Sequence, residues 1–228
     1  MIADLPAPAR DLAMRLGAQS DAARSIVSLT QAGRMKRKLG AESWLSFGAA
    51  QTISTDSCGF AWQARFGPLG MITVSDTLDG GGGRLQATAL GFIPLARAGP
   101  TPALTRGELM RYLGEIALAP DIILANPSLN WRSDGADRLV VGAGTGALAA
   151  DVTLTLDSDG RIGSIFAPDR PRSPTAPFLP TPWRGRFWDY RQHRGRWLPF
   201  AAEVAWEVDG TSETYWKAEM TSWDINPA

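Results

Sequence analysis

The sequence predicts a single domain built mostly of antiparallel β-strands, with one helix set into the middle of the chain. Three observations carry this. Phe60, Trp62, Ala64 and Phe66 alternate with Ala61, Gln63 and Arg65, and Leu198, Phe200, Ala202, Val204, Trp206 and Val208 keep the same period of two, with Glu203 and Glu207 in opposite phase. Turn residues break the chain at hairpin spacing, which joins antiparallel neighbours; parallel ones need long crossovers. Helical periodicity is strong in one interior stretch only, around residues 105–117. At 228 residues and 44% hydrophobic content the chain can bury a core that needs neither disulfide nor metal.

Taken in order, a short helix opens the chain, with Pro8 at an early position, Leu12 and Leu16 on one face and Gly17 as its stop. Strands are expected near residues 25–37, 43–51, 60–66, 70–77 and 84–93, with the Gly80–Gly83 run as a turn. The interior helix follows. Thr105-Arg106-Gly107-Glu108 has the spacing of a capping box, Leu109, Leu113 and Ile116 form its apolar row, and Pro120 stops it. Further strands fall near 138–143, 152–156, 161–166, 185–192, 198–208 and 213–224, which makes roughly eleven. Pro168, Pro171, Pro174, Pro177, Pro180 and Pro182 crowd residues 168–182 into an extended loop or flap. Only 46 residues follow it, too few for an independent core, so residues 1–228 read as one domain.

Composition excludes whole classes of chemistry. One histidine (His193) and one cysteine (Cys58) cannot supply a multi-histidine or thiolate zinc site, and no metal or cofactor is expected. A nucleophile–histidine mechanism would have to use His193, which falls in a turn among arginines. The lone cysteine fits a reducing compartment, and the N-terminal residues lack the basic and apolar regions of a signal peptide. No stretch approaches the length of a membrane span, so a cytoplasmic protein without stable membrane insertion is expected. Zero formal net charge argues against nucleic acid as a partner.

Several motifs have plain readings. Gly142-Ala143-Gly144-Thr145-Gly146 precedes an alternating stretch rather than a helix, so it is a glycine-rich hairpin and not a pyrophosphate cradle. Asp157 and Asp159 lack the remaining ligands of a calcium loop and mark a β-turn. Trp183 to Trp197 interleaves five arginines with five aromatics, as in a hairpin whose arginine stems lie over tryptophan faces, though an anionic or aromatic small ligand would fit the same pattern. Glu108, Arg111, Tyr112 and Glu115 share one helix face, where two carboxyls can act as general acid and base or an Arg111–Glu115 pair can be purely structural.

Two resemblances follow from these residues. Gln31-Ala32-Gly33-Arg34-Met35-Lys36, Trp44-x-x-Phe47-x-Ala49-x-Gln51, Phe60-x-Trp62-x-Ala64, Arg106-Gly107-Glu108-Leu109-x-Arg111-Tyr112-Leu113-x-Glu115, Trp183-x-Gly185-x-Phe187-x-Asp189-Tyr190 and Gly195-x-x-Leu198-Pro199 resemble a bacterial family of uncharacterised proteins. The succession of long strands, an inserted helix and a final tryptophan-bearing strand is similar to the lipoprotein-carrier class (LolA/LolB-like). That resemblance implies a strongly curved antiparallel sheet, a half-barrel or open barrel, with a helix packed over its concave face and an apolar cavity beneath. On it rests the expected function: binding a hydrophobic or amphipathic small molecule without catalysis. Trp62, Trp131, Trp188 and Trp206 are the expected walls and Glu108, Arg111, Tyr112, Glu115 and Tyr190 the expected anchors. Two alternatives stay open: a metal-independent enzyme using Glu108/Glu115 acid–base chemistry, and an interaction domain whose concave face is filled by its own tryptophans.

Overall fold

A computed structural model describes residues 5–19, 25–173 and 175–227. The chain starts in the centre of its sheet. After helix α1 (Ala7–Leu16) it lays down β1 (Ser25–Lys36), β2 (Trp44–Ser54), β3 (Phe60–Phe66), β4 (Ile72–Asp79), β5 (Gly82–Ala89) and β6 (Ile93–Ala98) as a meander running outward to one edge. It then crosses the concave face as α2 (Pro102–Gly114), a single 3-10 turn and α3 (Ile122–Ala125). From the far edge it winds back through β7 (Asn130–Ser133), β8 (Arg138–Ala143), β9 (Ala150–Leu156), β10 (Ile162–Pro171), β11 (Pro180–His193), β12 (Arg196–Val208) and β13 (Thr211–Pro227). β13 pairs with β1, so among the described residues thirteen strands form one antiparallel sheet curled into a half-barrel.

Alternation decides which face is buried. In β3 every even residue from Phe60 to Phe66 is buried and every odd one exposed, and β1 and β2 repeat the pattern through Val27, Leu29 and Gln31 and through Phe47, Ala49, Gln51 and Ile53. The inward residues form one core with the buried sides of α1 and α2. Leu12 and Leu16 of α1 are fully buried, and Gly17, at φ 71°, ends that helix in the left-handed conformation that glycine adopts without steric cost.

Helix α2 is buried nearly all round, as a helix laid inside a curved sheet must be. It packs on β4 and β5 on one side and on β8, β9 and β10 on the other. Gly114 permits the close approach: a Cβ there would stand 2.5 Å from Ile165 Cδ1 and 3.2 Å from Trp183 Cζ3. The Tyr112 hydroxyl pins the helix, donating to the Ser54 carbonyl at 3.0 Å and accepting from Asn126 Nδ2 at 2.9 Å.

Four details differ from the sequence reading. The helix begins at Pro102, capped by Thr101, whose hydroxyl accepts from the Leu104 N–H at 3.2 Å. Thr105 therefore lies inside the helix and accepts from the Gly83 N–H, and Glu108 is free of any capping role. The expected strand at 84–93 is two strands, β5 and β6, joined at Leu90–Phe92, and the four-residue β7 adds another. Proline enters the sheet as well: β10 runs to Pro171 and β11 opens at Pro180, leaving 172–179 as the connection.

Candidate functional site

Between α2 and the concave face lies a cavity of about 260 Å³. One wall is aromatic: Trp62 from β3, Trp183 and Phe187 from β11, Trp206 from β12, and Tyr215 and Trp216 from β13. Trp206 and Tyr215 stack with centroids 5.8 Å apart, and Trp183 donates its indole N–H to the Tyr215 hydroxyl at 3.2 Å. Met35, Val74, Leu85, Leu104, Leu118, Ile165, Ala202 and Val204 add to the apolar lining, and Pro171, Arg172 and Ser173 reach it from the proline-rich segment.

The floor is a buried ionic network. Arg111 bonds Asp76 Oδ2 through Nη1 at 2.6 Å and Glu115 Oε1 through Nε at 2.8 Å. Gln51 donates to the other Glu115 oxygen at 2.5 Å, and Trp62 donates to Gln31 Oε1 at 3.1 Å. The Arg111 guanidinium lies over Phe60 and Trp62, 4.6 and 5.2 Å from the ring centres. Arg170 repeats this on the opposite side: Nε donates to the Gly107 carbonyl at 3.0 Å, Nη2 stands 3.6 Å from Glu108 Oε1, and the guanidinium covers Trp183 and Trp206. Burial lowers the basicity of Arg111, but Glu115, Asp76 and Glu108 more than offset this, so it stays charged.

Glu108 and Asp76 are 4% and 7% exposed. Each has one oxygen facing an arginine, which leaves Glu108 Oε2 and Asp76 Oδ1 buried without a donor. Burial, together with the Asp76 charge, pushes the Glu108 carboxyl up to about 8, against the opposing pull of Arg170 and Arg111. A carboxyl that keeps its proton into the neutral range can hand that proton over when a charged molecule binds beside it.

Five of the nine expected site residues meet here: Glu108, Arg111, Glu115, Trp62 and Trp206. Tyr112 faces away, held by Ser54 and Asn126. Tyr190 donates to the Ile162 carbonyl at 2.7 Å, outside the cavity. Trp131 is on the edge strand β7, and Trp188 is 44% exposed, in opposite phase to Trp183 and Phe187. Sequence reasoning missed Asp76, Arg170, Gln31, Trp183 and Trp216. Gln31 and Asp76 did carry a signal, since each is polar at an inward position of an otherwise apolar alternation. The Cys58 thiol, pushed up by burial, lies by Asn126 and takes no part. Among the described residues no cluster of three or more histidine, cysteine or acidic side chains has metal-binding geometry, and no helix is long and apolar enough to cross a membrane.

A half-barrel closed by an inner helix over an aromatic cavity defines the class: the fold is LolA-like. A LolA superfamily protein from Nitrosomonas europaea superimposes with a TM-score of 0.50 at 12% identity, over 95% of this chain and 92% of that one. The chain belongs to the family of unknown function DUF6544, whose match covers residues 1–218. A porin-like protein from Bacteroides uniformis is more distant, with a TM-score of 0.30 at 9% identity over 92% of this chain and 99% of that one. No curated protein matches the sequence.

Proposed function

We propose that this chain holds an amphipathic small molecule beneath α2, its apolar part against the tryptophan wall and its polar group at the Glu108, Asp76, Arg111 and Arg170 floor. The observation that carries this reading is the cavity of about 260 Å³ between α2 and the tryptophan wall, near the lower end of the ~300–1,000 Å³ range of small-ligand pockets. It runs against the alternative of a concave face plugged by the protein's own tryptophans. The LolA-like fold adds support by analogy only.

Binding of phenylnaphthylamine, an uncharged apolar fluorophore, tests the reading. The dye should bind once per chain with quenching of tryptophan emission, and Val204→Phe, which places a ring in the cavity, should abolish this while leaving the fold intact. Equal binding by the variant would place the dye elsewhere and remove the support.

The carboxyl pair favours a second reading, a metal-independent acid–base enzyme. Its partners would be Glu108 and Asp76, because Glu115 is committed to Arg111 and Gln51. Recovery of bound compounds chemically unchanged after long incubation would count against it.

A further inference from the structure

We propose that the ligand carries a primary ammonium group, which donates to the unpartnered oxygens of Glu108 and Asp76. This rests on the preceding reading of the cavity as a ligand site and names the chemistry of its polar end.

The guanidinium nitrogens that point at Glu108 and Asp76 each serve one oxygen of those carboxyls. Arg111 turns Nε and Nη1 to Glu115 and Asp76, and Arg170 turns Nε to a backbone carbonyl and Nη2 towards Glu108. Unfilled capacity lies on oxygen. Of the four buried side-chain atoms without a partner among the described residues, Glu108 Oε2, Asp76 Oδ1 and Gln51 Oε1 belong to the concave face, and the one nitrogen is that of Trp131 on the edge strand. What these two carboxyls lack is a donor.

Charge is compatible with this. The groups facing Glu108 are Asp76 from β4, Arg170 from β10 and Arg111 with Glu115 from α2 and the turn that follows, while β5 presents only Gly83 and Leu85. With Glu108 ionised, the three carboxylates are balanced by the guanidiniums of Arg111, Arg170 and Arg172 that line the cavity, and an ammonium taking the place of the Glu108 proton leaves the net charge of the site unchanged, whereas an anionic head group would set its oxygens against the unpartnered Glu108 and Asp76 oxygens. A primary ammonium has three N–H donors to offer these oxygens, and a trimethylammonium has none. On binding, the Glu108 proton leaves to solvent and the ammonium enters already charged, so each ligand bound releases one proton.

Isothermal titration calorimetry with octylammonium, octyltrimethylammonium, octanol and octanoate tests this, run in buffers of different ionisation enthalpy. Octylammonium should bind tightest, gaining about tenfold in affinity per pH unit up to about pH 8 and releasing about one proton. Glu108→Gln, its fold checked by cooperative unfolding, should lose the proton release and the pH dependence. A short-chain lipid with a phosphoethanolamine head competes if the ammonium belongs to a lipid head group and fails to compete if it belongs to a free alkylamine; the ammonium assignment stands in both cases. Octanoate or octyltrimethylammonium binding as tightly as octylammonium, or octylammonium binding without proton release, would overturn it. If octanol binds and octylammonium does not, only the ammonium assignment falls. If none of the four binds, the ligand-site reading falls with it.

Discussion

Raising the pH should weaken this protein through one buried side chain, and Glu108→Gln should remove that weakness. Glu108 titrates at about 8 in the folded chain and near 4.5 when unfolded. Between those values the folded state holds a proton that the unfolded state has lost. The Glu108 contribution to stability is therefore fully present below about 4.5, falls as pH rises by about 1.4 kcal/mol per unit, and is gone above about 8. Over the whole window this amounts to about 5 kcal/mol, a large share of the ~5–15 kcal/mol that holds a typical domain together. Glutamine matches the protonated acid in shape and charge and can still donate to Asp76. Urea unfolding followed by tryptophan fluorescence, from about pH 5 to about pH 9, should show the wild type losing stability and the variant nearly flat. The two should be similar at the acid end and well separated at the alkaline end. A flat wild-type profile, or an equal slope in both proteins, would refute the claim that Glu108 is folded in its protonated form.

Three other substitutions test separate parts of the structure. Asp121 is fully buried and bonded by Arg196 at 3.1 and 3.2 Å and by the Gln19 N–H at 2.5 Å, so Arg196→Met should leave a buried carboxylate without its counter-charge and cost about 3–5 kcal/mol in urea unfolding; a loss below about 1 kcal/mol would show the pair to be dispensable. Gly114→Val should force α2 off Ile165 and Trp183, costing about 1–3 kcal/mol and abolishing dye binding, whereas unchanged dye affinity would mean that the helix does not form the roof. Trp188→Ala should leave dye affinity unchanged and Trp183→Ala should reduce it severalfold; the reverse would put the binding face on the convex side.

Most of the fold was legible because alternation is strong wherever one sheet face is buried. Phe60, Trp62, Ala64 and Phe66 announce β3 without help from any other segment. β6 was hidden because Ile93, Pro94, Leu95, Ala96 and Arg97 are all exposed, so no burial pattern marks it. β7 is too short to show a period. The capping box misled because Thr105 and Glu108 have the right spacing for one, yet Thr101 three residues before Leu104 does the capping. The site was half legible. Gln31, Gln51 and Asp76 could have been found as polar residues in inward phase, a mark of function in an otherwise apolar row. Arg170 could not, because the register between β10 and β11 shifts between Ala167 and Arg170 and destroys the phase. Trp188 was chosen for its size, although its neighbour Phe187 already takes the inward position.

Native mass spectrometry of the purified protein, set beside its denatured mass, tests most directly whether the space under α2 exists to hold a molecule. After incubation with a lipid and metabolite extract the wild type should carry one added mass that denaturation removes and that Val204→Phe never acquires. A wild-type mass equal to the bare chain under the same conditions would contradict the account.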